Sequence, residues 1–296
     1  MSQPVPKLLI TGATGQVGSK TIDFLLPDPS IEIVAAVRSP QKAAAFKARG
    51  IATAILDFDD ESTHLPALRG VDRLFIVTGY TVDMLRQSKA LLDNAKKAGV
   101  QHVVHLGACG RDDTTVAHWA WHQFVERYIE WCGFSYTHLR PETFMQNVLS
   151  YGGEKAIKDG VLHAFVEDAR LSWVDVGDVA QVAALALAHP EQHGGQTYRL
   201  GYDARSFAEL AELMSAIVGQ PFRYEPLAPE VFLESMKNAG ADMAYMHCVY
   251  DHWKRYAART IPGADDTFDN FAALTGKQPV LWPDFIERHK AELAYG

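Results

Sequence analysis

Residues 8 to 18 read Leu-Leu-Ile-Thr-Gly-Ala-Thr-Gly-Gln-Val-Gly, and Arg38 follows the next apolar run. This glycine turn constrains the fold more than any other stretch of the chain. A short apolar run, Lys7 to Ile10, enters a turn holding Gly12, Gly15 and Gly18, and Gln16 to Leu26 then reads as a helix. One glycine makes the tight turn, one lets backbone N–H groups approach a pyrophosphate, and one lets the helix pack close to the strand. The helix N-terminus supplies the partial positive charge that holds the anion. Thr14, Gln16 and Val17 complete the expected cradle. About 20 residues beyond the last glycine, an NAD site carries Asp or Glu for the ribose 2′-OH. Here the chain has Val37-Arg38-Ser39. A guanidinium suits a 2′-phosphate, and Ser39 and Lys42 lie near enough to reach phosphate oxygens, so the expected cofactor is NADP(H). The alternative for Arg38 is a solvated surface charge.

The bulk numbers exclude several classes. At 296 residues, 48% hydrophobic and 22% charged, the chain has the composition of an ordinary globular protein of one or two domains. A net charge of -8 argues against a nucleic-acid partner, which usually demands a basic stripe. No apolar run approaches a membrane span; Val179 to Ala188 fits a buried helix better. The chain enters its first strand without a signal-like segment, and Cys109, Cys132 and Cys248 show no metal or redox spacing. A cytoplasmic setting and a small-molecule partner are expected.

The first half alternates short β-type runs with helical patterns, which predicts an α/β fold with a doubly wound parallel sheet of Rossmann type. Strands are expected at Ile31 to Val37, Ile51 to Asp57, Arg73 to Thr78, His102 to Leu106 and Tyr136 to Leu139, with helices between them. Trp173 to Val176 followed by Asp178 to Ala188 reads as one more strand and helix of the same sheet. The expected division is a cofactor domain of residues 1–145 plus about 171–190, interleaved with a smaller, mostly helical substrate lobe of about 146–170 and 191–296. Ligands of such sheets bind at the carboxyl ends of the strands. That gathers Gly12 to Gly18, Arg38, Asp57, Thr78 to Tyr80, and Gly107 to Gly110 around one crevice.

Taken together, Thr11 to Gly18, Asp57, Gly133-Phe-Ser-Tyr-Thr-His-Leu-Arg-Pro141, Phe144-Met-Gln-Asn147, Trp173-Val-Asp-Val-Gly-Asp178 and Asp269 to Gly276 resemble the NmrA-like branch of the short-chain dehydrogenases/reductases. Members of that branch include triphenylmethane reductases, quinone oxidoreductases, flavin-free azoreductases and regulators that bind NADP without turning it over. The resemblance implies that Asp57 bonds the adenine amine and that Thr78, Gly79 and Tyr80 contact the nicotinamide ribose. Gly107 and Ala108 are expected at the cofactor too, and Tyr80, Phe144, Asn147 and Tyr151 at the substrate.

The usual Ser, Tyr and Lys machinery of the superfamily is missing. The matching helix carries His118-Trp-Ala-Trp-His122, and the loop Gly107-Ala-Cys-Gly110 has no hydroxyl. Hydride addition to an unactivated carbonyl needs an acid at the oxygen. Quinones, cationic dyes and similar conjugated acceptors spread the incoming charge themselves, so orientation against the nicotinamide matters more. The expected function is therefore an NADPH-dependent, flavin-free oxidoreductase acting on an aromatic or quinonoid molecule. A non-catalytic redox sensor acting through a protein partner is the rival reading, and an isomerase or epimerase a third. His118 and His122 share a helix face. No carboxylate-and-histidine set accompanies them, so no metal is expected. His122 is either a supporting acid oriented by Glu126 or a hydrogen-bonding partner of the cofactor ribose or a backbone group. The run Tyr245, Met246, Tyr250 and Trp253 is spaced for one apolar helix stripe.

Overall fold

The computed structural model describes residues 5–151, 154–155 and 157–295. The chain divides into two compact units, each assembled from separate segments. The first comprises Met1–Ala108, Trp121–Arg140 and Val179–Tyr198, and the second Cys109–Ala120, Pro141–Asp178 and Arg199–Gly296.

The first unit is built on β1 (Lys7–Ile10), α1 (Gln16–Leu25), β2 (Glu32–Val37), α2 (Pro40–Ala48), β3 (Ala52–Ile55) and α3 (His64–Ala67). Then follow β4 (Arg73–Val77), α4 (Met84–Ala98), β5 (His102–Leu106), α5 (Ala117–Trp131) and β6 (Ser135–Pro141). These strands, joined by Gln196–Leu200, form a seven-stranded sheet in the order Gln196–Leu200, β6, β5, β4, β1, β2, β3. β1 pairs in parallel with both β2 and β4, so the winding reverses there. Leu8, Leu9 and Ile10 are fully buried, as strands covered on both faces require. α4 presents Leu91, Leu92 and Ala95 to the core and stops at Gly99, whose φ of 88° supplies the left-handed cap.

The second unit carries helices and three small sheets. Arg170–Val174 lies between Asp203–Ser206 and Thr143–Phe144, and Val161–Ala164 lies between Ile157–Lys158 and Arg223–Pro226. The third pairs Ser150–Tyr151 with Glu154–Lys155. Helix Phe207–Val218 opens on a capping box in which Ser206 and Glu209 satisfy each other's backbone N–H. Trp173 and Trp282 meet edge to face at 5.2 Å, fully buried.

Two expectations are corrected. Trp173 does not return to the large sheet: Arg170–Val174 pairs antiparallel with Asp203–Ser206, and Gln196–Leu200 takes the edge position instead. The domain boundaries move accordingly, with 109–120, 141–145 and 171–178 in the second unit and 191–198 in the first.

Candidate active site

The turn after β1 is held from two sides. The Thr11 hydroxyl donates to the Phe75 carbonyl at 2.9 Å and accepts from the Val77 N–H at 2.8 Å, which ties the end of β1 to the end of β4. Gly12 has φ +60°, and a β-carbon there would lie 2.8 Å from Val77 Cβ. A β-carbon at Gly18 would fall on the carbonyl oxygen of Gly12, with the carbonyl carbon at 2.8 Å. Neither position tolerates a side chain. Gly15 caps α1 with extended backbone, and no side chain satisfies the first-turn N–H groups. Gly12, Thr14, Gly15 and Gln16 are exposed, while Val17 and Gly18 are buried. The turn is therefore a backbone cradle whose open donors suit a pyrophosphate. Val17 faces the core and offers only its N–H.

The remaining cofactor residues follow the carboxyl ends of successive strands. Arg38 is exposed just past β2, beside the half-buried Ser39. The Ser39 hydroxyl accepts from Lys42 N at 3.5 Å as the cap of α2, a role that the sequence reading did not foresee. The Lys42 side chain is exposed. Asp57 lies beyond β3, where one carboxylate oxygen accepts from Asp59 N at 3.1 Å. Thr78 and Gly79 follow β4, and Tyr80 is 81% exposed. Gly107 donates its N–H to Leu139 O at 2.8 Å, with Ala108 beside it at the end of β5.

A buried polar cluster, which sequence reasoning missed, lies behind these strand ends. His105 of β5 and His138 of β6 are register partners, so their rings share one face of the sheet, 5.9 Å apart. Above them α5 brings Glu126, whose two oxygens accept from Arg140 Nε at 2.9 Å and Nη2 at 2.6 Å. The nitrogens of His105 and His138 and an oxygen of Glu126 lie within 4.8 Å of one another. The bidentate guanidinium already supplies the positive charge that such a group would otherwise draw from a metal ion. Burial holds His105 well below the usual imidazole range, reinforced by the charges of His122, His138 and Arg140. Burial first, and Arg140 next, push His138 down to about 3. A histidine inside each of two β-type runs, His105 and His138, was the available signal.

His122 is half-buried, and its Nδ1 lies 3.2 Å from His105 Nε2. The orienting group found is thus an imidazole, whereas Glu126 is engaged by Arg140. His118 goes elsewhere: its ring lies 5.1 Å from that of His252 within the second unit, and burial lowers it to about 4.

In the second unit Phe144 is half-buried in the strand Thr143–Phe144. Asn147 lines an apolar cavity of about 200 Å³ together with Phe165, Trp173, Phe207, Phe232 and Trp253. The backbone of Tyr151 lies in Ser150–Tyr151, and its side chain lies outside the described residues. The expected stripe on Met243–Ala257 divides. Tyr245, Val249 and Tyr256 are buried, Trp253 lines the cavity, and Tyr250 donates to Glu230 Oε1 at 2.8 Å. Cys109 is buried, which pushes its thiol well up and leaves it inert as a nucleophile. No described helix is long and apolar enough to cross a membrane.

The chain is similar to several known proteins. The NAD(P)H azoreductase of Xenophilus azovorans is 32% identical over 288 residues, covering 96% of this chain and 98% of the relative. The structure of an NADPH-dependent quinone oxidoreductase from Escherichia coli, complexed with NADPH, superposes with a TM-score of 0.81 at 27% identity, covering 95% and 99% of the two chains. That of the Citrobacter sp. triphenylmethane reductase complexed with NADP(H) gives 0.82 at 23% identity, covering 95% and 99%, a likeness of fold. The model of the NmrA-like family matches residues 5–277, and the chain belongs to that family.

Proposed function

We propose that this protein is an NADPH-dependent oxidoreductase that delivers hydride to a conjugated aromatic molecule, such as a quinone or an azo or triphenylmethane dye, without a flavin. The observation that carries the reading is the turn from Gly12 to Gly18, which leaves no room for a side chain at either of those two glycines and whose helix N-terminus has no side-chain cap. NADP(H) fits that cradle, with Arg38 past β2 at the place of a 2′-phosphate.

Bound NADPH supplies the hydride. The residues of the chain hold, orient and protonate. The turn and α1 hold the pyrophosphate, and Arg38, Ser39 and Lys42 take the 2′-phosphate side. Asp57 takes the adenine, and Thr78, Gly79, Gly107 and Ala108 line the strand ends beyond. His122 is assigned as the supporting acid. Its Nδ1 lies 3.2 Å from Nε2 of a neutral His105, a contact that orients the ring. A quinone takes two electrons with the hydride and one further proton, which the imidazolium form of His122 or solvent provides. Tyr80, Phe144, Asn147 and Tyr151 are assigned to the acceptor.

NADPH consumption, followed spectroscopically against quinones, azo dyes and triphenylmethane dyes with NADH in parallel, tests the reading. Turnover is expected with at least one acceptor class and a preference for NADPH. Tight NADP⁺ binding with no turnover against any acceptor would replace the enzyme by a sensor. Arg38→Asp should weaken NADPH binding about 30-fold and leave NADH nearly unchanged.

A further inference from the structure

Within the first unit, the ends of β2 and β3 bring opposite charges together. The two strands are parallel neighbours with Val37 level with Ile55, and the Leu56 N–H donates to the Val37 carbonyl at 3.0 Å. Arg38 and the loop from Asp57 to Asp60 therefore leave the sheet side by side. Arg38 is exposed and forms no hydrogen bond or ion pair among the described residues. The carboxylates of the loop differ in what holds them. Asp57 Oδ1 accepts from Asp59 N, and Asp60 Oδ1 accepts from the Ser62 N–H and hydroxyl, all locally. Asp59 is instead tied to α4, where its Oδ1 accepts from Arg86 Nη2 at 2.8 Å and from Gln87 Nε2 at 2.9 Å.

Arg86 does not cancel that carboxylate outright. Its Nε also reaches Asp83 at 3.4 Å, so one guanidinium serves two carboxylates, and Asp59, Asp83 and Arg86 together keep one net negative charge. Hydrogen bonds from Gln87 first, and Arg86 next, hold the Asp59 carboxyl below the usual carboxylate range, and the charge of Arg38 acts in the same direction. Asp59 is thus an anion at neutral pH, with Arg38 in its field. Bracing alone does not require the charge, because a neutral amide oxygen accepts the same two bonds. A ribose 2′-phosphate carries nearly two negative charges and meets both fields, attracted by Arg38 and repelled by Asp59. A 2′-hydroxyl is neutral and responds to neither to the same degree.

We propose that Asp59, fixed by Arg86 and Gln87, is a specificity-determining residue that limits the preference for NADPH and keeps NADH a usable second cofactor. This rests on the placement of the 2′-phosphate at Arg38 and deepens it: Arg38 selects the phosphate, and a carboxylate on the next loop sets how strongly. The effect is electrostatic and acts through space, so it is graded by salt.

The test is fluorescence titration of the full chain with NADPH and with NADH, at about 20 mM and about 500 mM NaCl, concentrations that bracket strong and weak screening. Asp59→Asn keeps an acceptor for both donors of α4 and removes the charge. At the lower salt it should tighten NADPH about fivefold and move NADH by less than about twofold. At the higher salt the gain should shrink below about twofold. Asp59→Glu keeps the charge and should leave the ratio of the two dissociation constants within about twofold of the parent. Arg86→Gln removes the shared cation and should act in the opposite sense, weakening NADPH about threefold and sparing NADH. Circular dichroism verifies the fold of each variant, and either charge change tests the sign if the other fails to fold. Equal changes for the two nucleotides in Asp59→Asn would reduce Asp59 to a brace and overturn the proposal. A gain of the same size at both salt concentrations would overturn it too, as would tighter NADPH binding in Arg86→Gln. Failure of the parent to bind NADPH would end the cofactor reading and this proposal with it. Tight NADPH binding with an unchanged ratio in Asp59→Asn would overturn this proposal alone.

Discussion

The turn after β1 is made of backbone, whereas the cavity of the second unit is made of side chains, and the two respond differently to change. At Gly12 and Gly18 an added β-carbon meets Val77 and the Gly12 carbonyl, which cannot move without displacing the strand ends. The cavity wall draws on Phe165, Phe207 and Phe232 from separate parts of the chain, any of which can shorten while its neighbours adjust. One site is therefore all-or-none, and the other graded.

That contrast is open to direct attack. Gly18→Val should abolish nucleotide binding, by more than about 100-fold in the NADPH dissociation constant measured by fluorescence titration; a loss below tenfold would mean that the helix can back away from the turn. Phe232→Ala should cost about 3 kcal/mol in denaturant unfolding, as deleting a buried ring does. NADPH affinity should stay within twofold of the parent, and a parallel fall would remove the distinction between the sites.

A smaller effect separates the buried titratable groups. Unfolded histidine binds a proton below about 6.5, but His138 in the folded chain stays neutral down to about 3 and His102 to about 4, both through burial. Their contribution is thus lost as pH falls from 6.5. Glu142 runs the other way. Burial raises it to about 7 against the attraction of Arg199, so its contribution is complete below 4.5 and is lost as pH rises through 7. Thermal unfolding should therefore show its highest Tm between pH 5 and 7. Glu142→Gln should flatten the alkaline arm alone; an unchanged arm would remove this carboxyl from the balance. The smallest change is Ser39→Ala. Loss of the cap of α2 should cost about 0.5–1 kcal/mol in denaturant unfolding.

Local chemistry explains what the sequence disclosed. The glycine turn, the helix ending at Gly99 and the capped helix Phe207–Val218 depend on residues a few positions apart, so they were legible without a fold. Trp173 shows the limit. Arg170–Val174 was recognisable as a strand, but the sheet that receives it depends on pairing with Asp203–Ser206, far along the chain. The short strands Thr143–Phe144 and Val161–Ala164 lacked the length to declare a period. The cluster of His105, Glu126, His138 and Arg140 was hidden for the same reason. Register brings the two histidines level, and only α5 packed over them delivers the carboxylate. Asn147 was found through a motif, while the aromatic wall around it came from five separate stretches with no common spacing.

The two hydrogen bonds of the Thr11 hydroxyl have a kinetic consequence. They fix the loop before any nucleotide arrives, so association needs no ordering step at this point and loses no conformational entropy there. Dinucleotides that differ only at the 2′ position should then meet the protein at nearly the same rate. Their discrimination should reside in how long each one stays.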